Sequence, residues 1–143
     1  MRDYLFRGVD KTTGKWVYGG YTLDAIDNPR ITTKDDSGEG MLFHEVIPET
    51  VGMWSGMVDK HGNKIWESDI CLVTKTTYTR KYLQTDDMTS KQNFVCKCVF
   101  EKAQFILLHE YEDRGRIKKN VFGLSDCVVI GNIFEDKELL EAQ

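Results

Sequence analysis

The chain has 143 residues, of which 41% are hydrophobic and 29% charged, and it carries a formal net charge of -4. This length and composition predict one globular domain over residues 1–143, and the two prolines and twelve glycines do not suggest disorder. The acidic balance disfavours non-specific nucleic-acid binding, because such binding draws most of its affinity from neutralising phosphates.

The sequence also predicts a cytoplasmic protein without a membrane partner. No stretch approaches the roughly 20 consecutive apolar residues that a membrane-spanning helix needs. Residues 1–4 lack the apolar core of a secretory signal. In a reducing cytosol the four cysteines are expected to be free thiols rather than disulfides.

Alternation of apolar and polar residues at the start of the chain predicts a first β-hairpin. Its strands lie at 4–7 and 15–19, on either side of a polar turn at 10–14. The β-branched residues 31–33 predict a short third strand. The polar stretch 34–40 contains no apolar residue to hold it down, and we expect a mobile loop there.

Turn chemistry is clearest in the middle of the chain. Asp59 and Gly62 predict a hairpin turn, because Asp caps its own backbone and glycine adopts positive φ without strain. Pro48 lacks an N–H for a ladder, so residues 46–47 must end a strand or lie at an edge, after which pairing is expected to resume at 50–51. Gly52 and Gly56 stand where the corners of a small barrel require bends.

The second half of the chain predicts a buried strand, an edge hairpin and a meander. The apolar run 70–73 is typical of a buried strand. The stretch 74–93 predicts an exposed edge hairpin with a loop at 85–90, and Asp136 is expected to cap a short helix at 138–141. Further strands are predicted at 94–100, 104–109, 117–122 and 127–130. The predicted fold is mostly β: a small antiparallel β-barrel-like sheet with projecting hairpins and a short C-terminal helix.

Three sequence motifs in the middle of the chain and both of its ends resemble the YopX-like family of phage and prophage proteins. The central motifs are Val-Ile-Pro-Glu-Thr-Val-Gly at 46–52, Gly-x-x-Asp-x-x-Gly-x-Lys-Ile at 56–65 and Glu-x-Asp-Ile at 67–70. The ends are Tyr-Leu-Phe-Arg-Gly at 4–8 with Gly-Lys-Trp-Val-Tyr-Gly at 14–19, and Val-Ile-Gly-Asn-Ile-Phe-Glu at 129–135. Ser68 stands where the family is expected to have glycine. The resemblance implies a mostly β, phage-encoded protein in the host bacterium, and it supplies no catalytic residue.

The cysteines raise the question of a zinc site. Cys71, Cys96, Cys98 and Cys127 with His109 supply the right ligand types. Structural zinc sites usually present paired cysteines on loops, whereas these cysteines fall within apolar strands, where cysteine acts as a small hydrophobe. The core interpretation is favoured, and no metal or cofactor is expected.

Glu45, Glu49, Glu67 and Asp69 form a candidate carboxylate cluster for acid–base catalysis. The alternative for Asp69 is a turn residue that accepts backbone N–H bonds, and we favour it. A His44-based metalloprotease is excluded, because the second histidine of the zinc-binding helix is missing and the following proline would break that helix.

One stretch combines basic and aromatic side chains. Its candidate nucleic-acid contacts are Lys75, Tyr78, Arg80, Lys81 and Tyr82. We therefore hold three functional hypotheses. The first is a non-enzymatic phage accessory protein that binds another protein or itself, with the polar edge at 74–93 as the pairing surface. The second is a nucleic-acid-binding accessory factor, and the third is an enzyme that uses the carboxylates.

Overall fold

The structure is a computed structural model that describes residues 5–80 and 87–141, without the side chains of 77–80 and 87–89. The chain divides into two compact units, Met1–Met57 and Val58–Gln143. Each is described here by itself, and the single domain expected over residues 1–143 stays a prediction.

Both units consist of β-strands, and the predicted mostly β fold with a short C-terminal helix is confirmed. The first unit contains β1 (Phe6–Val9), β2 (Trp16–Leu23), β3 (Pro29–Lys34), β4 (Met41–Glu45) and a 3-10 helical turn (Pro48–Thr50), and β5 (Gly52–Val58) ends at the division. The second contains β6 (Lys64–Trp66), β7 (Asp69–Arg80), β8 (Asp87–Glu101), β9 (Gln104–Asp113), β10 (Arg116–Phe122), β11 (Cys127–Asn132) and α1 (Glu138–Glu141). No helix in the described part of the chain is long and apolar enough to cross a membrane.

In the first unit the strands run in the order β4-β3-β2-β1-β5, each antiparallel to its neighbour. Its buried side chains include Ile31 and Val46, both without solvent exposure. Gly19 allows β2 and β3 to come close, because a Cβ there would lie 1.9 Å from the carbonyl oxygen of Thr32. The predicted first hairpin is confirmed as β1 and β2.

Just beyond the ends of β4 and β1, Val46 and Asp10 pair in a single antiparallel β-bridge. Two hydrogen bonds flank the bridge: Ile47 N–H donates to the Val9 carbonyl at 2.9 Å, and Lys11 N–H donates to the Glu45 carbonyl at 2.9 Å. One bridge does not make a strand ladder. No closed barrel is found among the described residues, so barrel-like closure is not confirmed.

The prediction that pairing resumes at 50–51 is wrong. Pro48 starts a 3-10 turn, a position where its missing N–H costs nothing, and pairing with β1 resumes only at Gly52. Thr50 holds the turn in place because its Oγ1 accepts the Val9 N–H at 2.9 Å and donates to the Ile47 carbonyl at 2.6 Å.

The second unit is a five-stranded antiparallel sheet in the order β10-β9-β8-β7-β11. The predicted meander is confirmed as β8, β9 and β10. One face of the sheet holds the main core cluster of this unit: Ile65, Cys71, Val73, Cys96, Cys98, Leu107, Leu124 and Cys127.

Two hairpin arms extend from this sheet. β7 and β8 pair without interruption from Ile70 with Lys97 to Arg80 with Asp87, so the predicted loop at 85–90 is wrong from residue 87 onward, and 81–86 lie outside the described residues. The ladder between β8 and β9 runs only from Glu101 with Gln104 to Lys97 with Leu108. Beyond that point the β7–β8 arm and the β9–β10 arm separate.

The predicted helix cap at Asp136 is wrong. Its carboxylate turns back and accepts the Asn132 N–H at 3.2 Å, at the end of β11. Gly131 makes room for this, since a Cβ there would lie 2.5 Å from Asp136 Oδ2. The Asn132 side chain then accepts the N–H groups of Phe134 and Glu135, each at 3.0 Å. Gly131 and Asn132 therefore stabilise the turn that follows β11.

Ser68 keeps the backbone conformation expected of a glycine, with φ at 75°. Two hydrogen bonds hold it there: its N–H donates to the Cys98 carbonyl at 2.8 Å, and its carbonyl accepts the Ile133 N–H at 3.0 Å. A serine at this position strains the backbone of the turn, because its Cβ disfavours positive φ.

Candidate interaction surfaces

The four candidate carboxylates have separate roles in the structure. In the first unit, Glu45 forms an ion pair with Lys11 at 3.1 Å, and Glu49 is exposed on the 3-10 turn. In the second unit, Glu67 is partly exposed, whereas Asp69 is buried and accepts the Trp66 N–H at 2.8 Å. The interpretation of Asp69 as a turn residue is confirmed.

The four cysteines are free thiols in the core of the second unit. Cys71 lies directly opposite Cys96 in the β7–β8 ladder, and Cys127 donates to the Leu124 carbonyl at 3.3 Å. Burial raises the pKa of Cys96 to about 12, and the hydrogen bond with Cys127 followed by burial raises the pKa of Cys71. The Cys71 and Cys96 thiols therefore stay protonated and pack as small apolar groups. Within the described residues no group of three or more metal-ligating side chains is placed to hold an ion.

The structure describes only part of the predicted nucleic-acid stretch. Lys75 is exposed on β7, with its Nζ 5.3 Å from the centre of the Phe122 ring. Tyr78 and Arg80 belong to β7, but their side chains lie outside the described set, as do residues 81–82 altogether. Nucleic-acid contact by Lys75, Tyr78, Arg80, Lys81 and Tyr82 stays a prediction.

The outer edge of β11 is covered by the turn that starts at Asp59. Asp59 Oδ2 accepts the Val129 N–H at 2.9 Å, and the Lys60 N–H donates to the Cys127 carbonyl at 3.2 Å. Asp59 Oδ1 also accepts the N–H groups of His61 at 2.8 Å and Asn63 at 2.9 Å. Burial opposes ionisation of Asp59, but these backbone donors outweigh it and lower its pKa.

The other edge of the second sheet, β10, is protected by charge. Lys118 and Lys119 lie in the middle of the strand, between Ile117 and Val121, which are 72% and 57% exposed. Lysines on an edge strand oppose pairing with another chain, because they would have to lose their water. The two outer strands of this sheet are therefore blocked, whereas the β7–β8 arm beyond Val73 and Lys97 pairs only within itself in the described ladders.

The edge strand β4 of the first unit has neither a covering turn along Met41–Phe43 nor a lysine. Met41, Leu42 and Phe43 are 59%, 47% and 54% exposed, and the strand carries no lysine or arginine. Its outer side is bonded only at one end, where the Glu45 carbonyl and the Ile47 N–H meet the end of β1. Because backbone groups alternate along a strand, those of Met41 and Phe43 point to the same outer side, where no strand of the described chain pairs with them.

A chain of side-chain bonds fixes β4 in position. The tautomer of His44 with its proton on Nδ1 donates to Asp10 Oδ2 at 3.1 Å and accepts from Thr33 Oγ1 at 2.9 Å through Nε2. Asp10 Oδ1 accepts the N–H groups of Thr12 at 2.7 Å and Thr13 at 3.1 Å, and these donors lower its pKa. Carboxylate, imidazole and hydroxyl follow one another as in a nucleophile relay, but catalysis also requires oxyanion donors and a substrate cleft, which these bonds do not supply.

Sequence reasoning predicted a strand that ends before Pro48 but did not place its start at Met41, and it missed the His44 chain. The available signal for β4 was the apolar run Met41-Leu42-Phe43 directly after a polar glycine loop. No comparable signal existed for His44, because its partners Asp10 and Thr33 are 34 and 11 residues away in the sequence.

Three of the motifs that carry the family resemblance form the turns around Asp59, Ser68 and Asn132, and the others lie in β1, β2 and the 3-10 turn. No curated protein matches the sequence. The model of the YopX protein family matches residues 5–141, and the chain therefore belongs to this family.

Proposed function

We propose that this protein is a non-enzymatic phage accessory protein that binds another protein chain by strand addition at β4. An extended segment of the partner would pair with the outer backbone groups of Met41 and Phe43, and its apolar side chains would cover theirs. The observation that carries the proposal is that β4 is an edge strand with three exposed apolar side chains and no lysine or arginine, whereas both outer strands of the other sheet are blocked.

Exposed apolar edge strands are a hazard that soluble proteins normally remove by charge, proline or a covering loop. The chain uses two of these devices, the turn at Asp59 and the lysines of β10. The edge strand β4 has neither device along Met41–Phe43, which distinguishes it from the outer strands β10 and β11. The His44 bonds favour the same conclusion, because a strand held firmly in place loses less entropy on binding.

A non-enzymatic role also fits the polar groups of the carboxylate cluster. Glu45 is engaged by Lys11, and Asp69 by the backbone of its own turn. In this proposal the protein works in the cytosol of the host bacterium, where its four thiols stay reduced. The partner is a second copy of the chain or another phage or host protein.

The experiment compares two double variants. Met41→Lys with Phe43→Lys places charges on the open edge, and Ile117→Lys with Val121→Lys makes the same kind of change on β10, which already carries lysines. Sedimentation at high protein concentration measures self-association, and pull-down from infected cells followed by mass spectrometry identifies other partners. We expect the β4 variant to lose the complex and the β10 variant to keep it.

Three results would count against strand addition at β4. The first is a protein that is monomeric at every concentration and retains no specific partner. The second is a complex that both double variants retain, and the third is a complex that the β10 variant alone loses. Circular dichroism of each variant shows whether the fold is intact.

A further inference from the structure

A groove opens between the two hairpin arms of the second unit, at the point where β8 and β9 stop pairing. It has a volume of about 410 Å³, within the roughly 300–1,000 Å³ typical of ligand sites. Its lining residues are Gln92, Phe94, His109, Tyr111 and Asn120. Among these residues only His109 was a candidate site residue in the sequence, as a possible zinc ligand.

Aromatic rings form the floor of the groove. His109 and Tyr111 stack on each other with ring centres 5.6 Å apart and planes 15° from parallel. Phe94 meets the edge of His109 at 5.2 Å and lies 5.0 Å from Phe122. Tyr111 is 39% exposed, so part of this stack is accessible to solvent.

Polar groups in the groove are placed beside these rings. Asn120 Nδ2 lies 3.2 Å from His109 Nδ1, and Gln92 is exposed on the facing arm. Amide side chains offer a donor and an acceptor together, which is what the edge of a nucleobase requires. The groove thus combines a stacking surface with hydrogen-bonding groups at its margin.

The same face of the arms is basic, although the whole chain is acidic. Cross-strand partners share a face, and this register places Lys75, Arg116 and Lys118 on the side of the groove. The matching carboxylate on that face is Asp113, which binds Lys118 at 2.6 Å. Among the described side chains of these strands, three cations against one carboxylate give the groove a local charge that suits a phosphate backbone.

We propose that this groove binds single-stranded nucleic acid, with a base stacked on the face of Tyr111 and the adjoining phosphates near Lys75 and Arg116. Aromatic rings beside a basic track are how sequence-tolerant single-strand binders work. A duplex keeps its base faces covered and offers nothing for Tyr111 to stack on. This inference concerns a different surface and a different class of ligand from strand addition at β4.

The test is fluorescence anisotropy with a labelled oligothymidylate, longer than the roughly 4–16 nucleotides that one small single-strand-binding domain covers. A duplex of the same length is the comparison, and both are titrated over a salt series. We expect the single strand to bind and the duplex to bind much more weakly. Tyr111→Ala is expected to weaken binding roughly 5- to 150-fold, as for the loss of one stacked base. Lys75→Gln is expected to reduce the salt slope by about 0.7.

Matched controls are available on the same sheet. Tyr111→Phe keeps the ring and is expected to bind like the unaltered protein. Phe100→Ala removes an exposed aromatic at the far end of the strand, and Lys119→Gln removes a cation from the opposite face of β10, so neither is expected to change binding.

Several outcomes would overturn the proposal. One is the absence of binding at low salt, and another is equal binding of the single strand and the duplex. A third is a loss in Tyr111→Ala no larger than in Phe100→Ala. Binding that survives Tyr111→Ala but requires the β4 edge would transfer the activity to the other unit and refute this site. The β4 double variant itself is expected to bind the oligonucleotide normally, so the two proposals fail independently.

Discussion

The turn at Asp59 is expected to account for an unusual share of the stability of the second unit. Replacing Asp59 by alanine removes the carboxylate that accepts three backbone N–H groups, those of His61, Asn63 and Val129. Asp59 is only 7% exposed, so water replaces the lost acceptor poorly. A hydrogen bond to a charged group contributes about 1.5–3 kcal/mol, and water can still reach the exposed His61 and Asn63. We therefore expect Asp59→Ala to lower the free energy of unfolding by about 2–4 kcal/mol.

The chain contains a matched control for this substitution in Asp24. The Asp24–Asn28 and Asp59–Asn63 turns share one bond pattern. Asp24 Oδ1 accepts the N–H groups of Ile26 and Asn28, each at 2.9 Å, and Asn28 Nδ2 donates to Oδ2 at 3.1 Å. What Asp24 lacks in this pattern is the long-range bond that Asp59 makes to Val129. Asp24→Ala should therefore cost clearly less stability.

Urea unfolding gives the free energies, and amide hydrogen exchange locates the effect. The Val129 amide should lose protection in Asp59→Ala and keep it in Asp24→Ala. The reasoning would be refuted if the two variants lost the same stability, or if the Val129 amide exchanged at the same rate in both.

Three other predictions concern backbone strain and acid stability. Ala103 occupies a two-residue turn at φ 62°, and Gly115 occupies the corresponding turn of the next hairpin at φ 76°. In thermal or urea unfolding we expect Ala103→Gly to stabilise the protein by about 0.5–1 kcal/mol and Gly115→Ala to destabilise it by about 1 kcal/mol. A change of stability in the same direction for both variants would contradict this. Ser68→Gly should likewise stabilise by about 0.5–1 kcal/mol, and a destabilised variant would show that the serine is not strained. The pKa values of Asp10 and Asp59 are lowered from 3.8 in the folded protein, so their contribution is complete above that pH and is lost as the pH falls through the lower folded values. The melting temperature should therefore fall once the pH is below 3.8, and it should fall less steeply in Asp59→Asn.

Local chemistry in the sequence was enough to predict the turns and the class of fold. The positive φ of Gly62 and the role of Asp69 follow from what an aspartate and a glycine do to their immediate neighbours. The burial of the cysteines follows from the apolar strands around them. These features depend on residues a few positions apart, which is why alternation and turn composition identified them.

Only the tertiary structure decided which strand edges are left open. The Val129 N–H is satisfied by an aspartate 70 residues away, and the end of β4 meets a strand 36 residues earlier in the chain. Where β8 and β9 stop pairing, Phe94 of one strand lies beside His109 of the other, and the groove is lined by residues of both strands. Alternation tells which residues of a strand share a face, but pairing between distant strands decides whether that face or edge is left exposed.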